Sequence, residues 1–269
     1  MARKVFTKKN VSSIVEFAQI ILEIKDSWFP NTDFPEIWYR GVKDAAFDLL
    51  PGAYFRHDCD ELSLVLHFRS LSPSLLPREP LDDWEWYYLM QHYGIPTRLL
   101  DWTESPLAAL YFALEENAIK RSPCVWMMDP YSLNRLSGEE YILFPYPDTD
   151  LKYWLPDFCG GRAKVHTFDD GARFKDNTKP LAIYPKRYNP RIVAQRGVFT
   201  VHGMEKSPIN HLPLTDEDGK ETRIAKITFK PSARGKLRNE LWTLGFSKVA
   251  IYPEPQSLAD DLKRSFYVS

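Results

Sequence analysis

The sequence predicts an α+β domain with helices grouped early and most strands late. Three observations carry that expectation. Apolar residues make up 44% of the 269, which supports a core of its own and excludes a disordered chain. Amphipathic stretches at helical spacing fill much of the first part. Short β-branched and aromatic runs, bounded by Gly and Pro, recur towards the end.

The elements follow in order. Val11 to Trp28 has apolar residues at helical spacing behind a Ser start, so it reads as an amphipathic helix. We expect residues 1–30 to form a helical appendage and residues 31–269 the main domain. Glu36 to Val42 is short and aromatic and ends after Gly41, a strand signature. Asp60 to Ser72 and Leu81 to Gly94 read as helices, the second stopped by Gly94 and Pro96. Thr97 to Trp102 reads as a short buried strand. Ser105 before Pro106 is the preferred start of a helix, and Leu107, Leu110, Tyr111 and Leu114 then form one apolar stripe. Cys124 to Asp129 reads as a strand. Residues 136–179 are irregular, rich in Pro, Gly and Asp, and read as an insertion. Leu181 to Pro185, Arg191 to Val201, Arg223 to Phe229 and Lys248 to Tyr252 read as strands. Ser232 to Gly245 and Ser257 to Phe266 read as helices. No internal repeat or low-complexity tract is present.

Charge and cysteine usage narrow the classes. Net charge is −1, but its distribution is uneven. Asn177 to Met204 carries no Asp or Glu and holds Lys179, Lys186, Arg187, Arg191 and Arg196; Arg223 to Arg238 is a second acid-free run. Such runs suit an anionic ligand, or a solvated face balanced by acids elsewhere in space. Three Cys, widely spaced, fit neither a disulfide framework nor zinc spacing. The basic start lacks an apolar segment behind it, and no apolar run reaches membrane-spanning length, so the chain reads as cytosolic.

Three clusters are candidates for chemistry. In "LMQHYGIPTRLLDWTESPLAALYFAL", a strand leads through a polar turn to a helix start, where free N–H groups favour an anion or polar oxygen. Asp101 stands at the strand end, Arg98 just before it, and Thr103 and Ser105 add hydroxyls. Two readings stand: a binding site, or a helix cap at Ser105 beside an Arg98–Asp101 pair. His92 is either a proton acceptor or a helix-end residue bonding a carbonyl. In "WYRG", Arg40 is costly to bury without a partner, so it is either a ligand contact or half of a structural Arg–Asp pair, and Gly41 admits a ligand or a backbone. In "RIVAQRGVFTVHG", Arg191 and Gln195 share a face if the strand is regular, and Gly197 suggests a bulge. Gln195 is then a core amide or a ligand contact.

These segments, with the weaker "KLRNELWTLGFSKVAIYPEPQSLADDL", resemble in order the FRG domain, over about Ile37 to Leu262. The FRG domain is similar in motif order to the ADP-ribosyltransferase superfamily. That resemblance implies a single ADP-ribosyltransferase-like domain with a split, mostly antiparallel β core flanked by helices. It implies NAD as substrate, held by Arg40 and Gly41, with Thr103 and Ser105 as the Ser/Thr turn. Tyr111 or Phe112 would line the nicotinamide pocket, and Gln195 would stand beside the scissile bond. Asp101 would supply an anion there, and Arg98, Arg40 and Arg191 would serve the dinucleotide. The implied function is an ADP-ribosyltransferase, a bacterial toxin or anti-phage effector modifying RNA, DNA or protein. Lys186, Arg187, Arg191 and Arg196 would meet a nucleic-acid acceptor, and a neutralising antitoxin protein is an expected partner. A NAD glycohydrolase, or a non-catalytic nucleotide- or nucleic-acid-binding module, is the alternative.

Overall fold

The computed structural model describes residues 6–55, 60–115, 121–146, 149–156, 167–168, 174, 176–187 and 189–266. In chain order these form β1 (Phe6–Val11), α1 (Ile14–Trp28), β2 (Trp38–Val42), α2 (Gly52–Phe55), α3 (Glu61–Leu71) and α4 (Asp83–His92). Then come β3 (Leu99–Thr103), α5 (Pro106–Leu114), β4 (Cys124–Met128), α6 (Pro130–Asn134), β5 (Leu181–Ile183) and α7 (Pro190–Ala194). The chain closes with β6 (Gly197–Val201), β7 (Ile224–Phe229), α8 (Arg234–Thr243), α9 (Lys248–Ile251) and α10 (Pro255–Phe266).

The mixed α+β composition is as expected. The strands form one sheet in the order β1-β7-β4-β2-β3-β6-β5. β1 runs parallel to β7, and the other neighbouring pairs are antiparallel. β2 is in register with β4 along its whole length, and β3 with β6. Between β2 and β3 only Tyr39 and Thr103 are paired. The sheet is therefore nearly parted at its middle.

Period-2 alternation sends Tyr39, Val125, Met127 and Ile227 to one face, and Trp38, Trp126, Met128 and Ile224 to the other. α1, α5 and α8 cover the first face. Ser13 caps α1 by accepting from the Glu16 N–H at 3.2 Å, and the Glu16 carboxylate accepts from the Ser12 N–H at 2.9 Å. The buried stripe Ile14, Phe17, Ile20, Ile21, Ile24 and Trp28 packs in the same cluster as Leu110, Ile227 and Leu237. The segment expected as an appendage thus shares the core, and β1, not foreseen in the basic N-terminal run, extends the sheet. α5 lies so close to β2 that a Cβ on Gly41 would stand 1.8 Å from the Ala109 carbonyl oxygen. Gly41 serves backbone approach between these elements.

One expected strand, Lys248 to Tyr252, is a helix, and a second, Arg191 to Val201, is helical in its first part and strand only from Gly197, as β6. Arg191 to Ala194 belongs to α7, where Asn189 accepts from the Arg191 N–H at 2.8 Å and Pro190 fills the first turn. Arg191 and Gln195 are therefore not strand partners; the Gln195 N–H donates to the Arg191 carbonyl at 2.9 Å. Gly197 marks no bulge, since β6 keeps unbroken register with β3. Lys248 to Ile251 is α9, whose first N–H groups donate to the Asp261 carboxylate. Within 136–179, the described residues Leu151, Trp154 and Phe174 are buried against Leu181 and Phe199. Cys124 is buried in β4; Cys59 and Cys159 lie outside the described residues.

Candidate functional site

A cavity of about 340 Å³ opens where β2 and β3 part. In a continued ladder Gly41 would oppose Asp101; instead the Arg40 side chain spans the gap, Nη1 donating to the Asp101 carbonyl. The same nitrogen lies 3.7 Å from Asp101 Oδ2. Burial pulls the Arg40 pKa down and the Asp101 carboxylate opposes it; a guanidinium stays charged in either case.

Asp101 is held from its other side by α4. Gln91 Nε2 donates to Asp101 Oδ2 at 2.9 Å, and Thr97 Oγ1 donates to Gln91 Oε1 at 2.5 Å. The Thr97 hydroxyl also accepts from the Leu99 N–H at 3.1 Å. A chain of bonds from β3 through α4 thereby fixes the carboxylate, whose side chain is still 57% exposed. It is oriented yet open to a ligand.

The far wall comes from α7 and the segment before α10. Arg191 Nε lies 2.6 Å from the Glu254 carboxylate, and its guanidinium sits 4.9 Å from the centre of the Tyr252 ring. Gln195 Nε2 donates to the Ile251 carbonyl at 3.2 Å. His92 stands opposite, near Asn189 at 3.5 Å. Burial, and then the Arg191 charge, hold His92 below the usual histidine pKa, so it is neutral at pH 7. Tyr39, Tyr88, Trp102, Phe112 and Phe199 supply aromatic surface. Polar groups converging on an aromatic cavity of this size are the usual makings of a small-molecule site.

Of the residues singled out in the sequence, Arg40, Gly41, Asp101, Thr103, Arg191 and Gln195 line this cavity, with His92 and Phe112. The Thr103 hydroxyl is already engaged: it donates to the Gln195 carbonyl at 2.6 Å and accepts from the Ser105 N–H at 2.9 Å. Arg98, Ser105 and Tyr111 do not line it. Arg98 is buried and pairs with Glu61 at 2.7 Å, so the expected Arg98–Asp101 pair does not form. Ser105 caps α5, accepting from the Ala108 N–H at 3.3 Å. Tyr111 packs against the α1–α5–α8 cluster and faces a separate, smaller cavity beside Trp242.

Gln91, Asn189 and Tyr252 were missed. Gln91 had a legible signal, because Tyr88, Gln91 and His92 share one helix face at i, i+3, i+4. The basic residues after position 177 take their acids from elsewhere in space. Lys186 pairs with Asp82 at 2.6 Å, and Arg187 and Arg196 share Glu104 at 2.8 and 3.4 Å.

This is an α+β domain with a polar and aromatic cavity at a near-break in its sheet. Residues 35–122 match the FRG domain family. No curated protein and no solved structure matches it. The matched span contributes Arg40, Gln91, His92 and Asp101; Arg191, Gln195 and Tyr252 come from beyond it. Among the described residues no helix is long and apolar enough to cross a membrane, and no group of three or more His, Cys, Asp or Glu is placed to hold a metal.

Proposed function

We propose that this chain is an NAD-dependent ADP-ribosyltransferase whose reaction takes place in the cavity between β2, β3 and α7. The observation that carries the reading is the meeting of Arg40, Asp101 and Gln195, from three separate segments, in one aromatic-walled cavity. Cleaving nicotinamide from its ribose builds positive charge on the sugar, as in glycoside cleavage. A fixed carboxylate binds that charge more strongly than it binds neutral ribose, which is what lowers a barrier. Asp101, oriented by Gln91 and Arg40, takes this role. Gln195 orients the ribose hydroxyl. Arg40 and Arg191 receive the pyrophosphate. The aromatic residues offer faces for the nicotinamide ring. His92, neutral at pH 7, accepts the proton of the incoming nucleophile.

The test is transfer of label from adenylate-labelled NAD into cell lysate, followed by nuclease or protease. Label released by nuclease or protease supports a transferase and tells which polymer accepts. Nicotinamide release without label transfer makes the chain a NAD glycohydrolase. Neither label nor release makes it a nucleotide-binding module.

A further inference from the structure

A second groove, of about 480 Å³, begins one residue beyond the cavity wall, at Glu104 next to Thr103. Two segments build it. Leu143 and Ile183 form a parallel bridge, and the Tyr184 N–H donates to the Leu143 carbonyl at 2.8 Å. Each segment then runs aromatic residue, Pro, polar residue: Phe144, Pro145, Tyr146 and Tyr184, Pro185, Lys186. Proline has no N–H, so the pairing cannot continue and the aromatic side chains stand beside each other at its end. The Phe144 and Tyr184 rings stack with centroids 5.1 Å apart and planes at 24°. Tyr184 also meets the buried Trp38 ring at 5.9 Å, which anchors the pair to the core. Phe144 is 54% and Tyr146 56% exposed. Phe144 is held in the open by its stack on Tyr184, and exposed aromatic side chains lining one groove mark an interaction site.

The charge around it indicates which. Arg187 and Arg196 share the single carboxylate of Glu104, leaving one positive charge in excess. Arg196 sits in left-handed backbone, φ 47°, directly after α7, and its side chain is 62% exposed. Lys186 lies at the same end, but Asp82 at 2.6 Å and Glu85 at 3.9 Å already balance it, so the two arginines carry the charge argument. A flat ring platform beside exposed arginines suits stacked bases joined by phosphates. A proline-rich peptide also uses aromatic grooves, but needs no such cations.

We propose that this groove is a stacking platform for the bases of a single-stranded nucleic acid. As the acceptor track leading into the cavity it rests on the transferase reading above; as a binding surface it does not.

The experiment is fluorescence anisotropy of a short labelled single-stranded RNA and its DNA counterpart, with the annealed duplex and a proline-rich peptide alongside. The same samples are titrated with NAD. Single strands are expected to bind, more weakly as salt rises. Phe144→Ala with Tyr146→Ala should weaken binding about tenfold or more, the loss of stacked bases. Arg187→Glu with Arg196→Glu should weaken it and flatten the salt dependence. The aromatic variant should keep the wild-type melting temperature. The arginine variant, which strips both partners from Glu104, should melt lower, and NAD titrations of the folded proteins should stay near wild type. No binding, equal binding of duplex, preference for the peptide, or indifference to the aromatic pair would each overturn the platform. NAD binding without strand binding sinks the groove alone. Strand binding that needs the two rings, without NAD binding, leaves the platform standing and removes the transferase.

Discussion

Arg40 on β2 reaches across the parted sheet to Asp101 on β3, donating to its backbone carbonyl and lying 3.7 Å from its carboxylate. One guanidinium therefore closes a gap in the β ladder and places a positive charge beside the cavity's carboxylate. Removing it affects both. Arg40→Ala is expected to cost about 1.5–3 kcal/mol of stability, the worth of a bond involving a charged group. Nicotinamide release should fall about 100-fold or more, as when one preorganised donor is lost. Thermal melting and a release assay on the same sample check both.

Gly41→Ala is the structural control. Its new methyl would meet the Ala109 carbonyl oxygen, which belongs to helix backbone and has little room to move. We expect a loss of about 3 kcal/mol or more, from overpacking that only a shift of α5 would relieve. A melting curve close to wild type would contradict the placement of α5 on β2.

Arg196→Gly runs the other way. Left-handed backbone at a non-glycine residue costs about 1 kcal/mol or more, and the exposed pair with Glu104 returns about 0–1 kcal/mol. The variant should melt at the wild-type temperature or up to a few degrees above it. By the platform proposal it should also bind single strands more weakly.

Acid sensitivity follows from His202. It is fully buried beside Tyr54, at 6.0 Å between rings, and burial pushes its pKa down to about 3. The unfolded chain protonates this ring near pH 6.5, whereas the folded one does not until about 3. Between those values the unfolded state holds the extra proton, so this contribution to stability is full above 6.5 and drains as pH falls. The slope is about 1.4 kcal/mol per pH unit for the one proton. His202→Gln should flatten the decline between pH 6 and 4 measured by urea unfolding.

Much of the helical framework was legible because its signals are local. Ser13 before an apolar stripe, and Ser105 before Pro106, define α1 and α5 by caps and periodicity alone. α7 hid behind β-branched Ile192 and Val193, which outweighed the Asn189–Pro190 start signal. α9 is four residues long and capped by Asp261, twelve or more positions away, which no local pattern displays. Arg40, Asp101 and Gln195 were found as residue types in motifs, and they do converge. Arg98 was misplaced because its partner, Glu61, lies in α3, 37 residues earlier. Gln91 escaped notice because its role depends on the bond to Asp101, a tertiary relationship.

The most direct measurement is nicotinamide release from NAD by the wild-type chain and by Asp101→Asn, with NAD affinity measured on both. The substitution keeps the shape and removes the charge. Release about 100-fold slower in the variant, at an affinity within a few-fold of wild type, is the predicted result. Equal release by the two proteins, or none from the wild type with lysate present, would contradict the account.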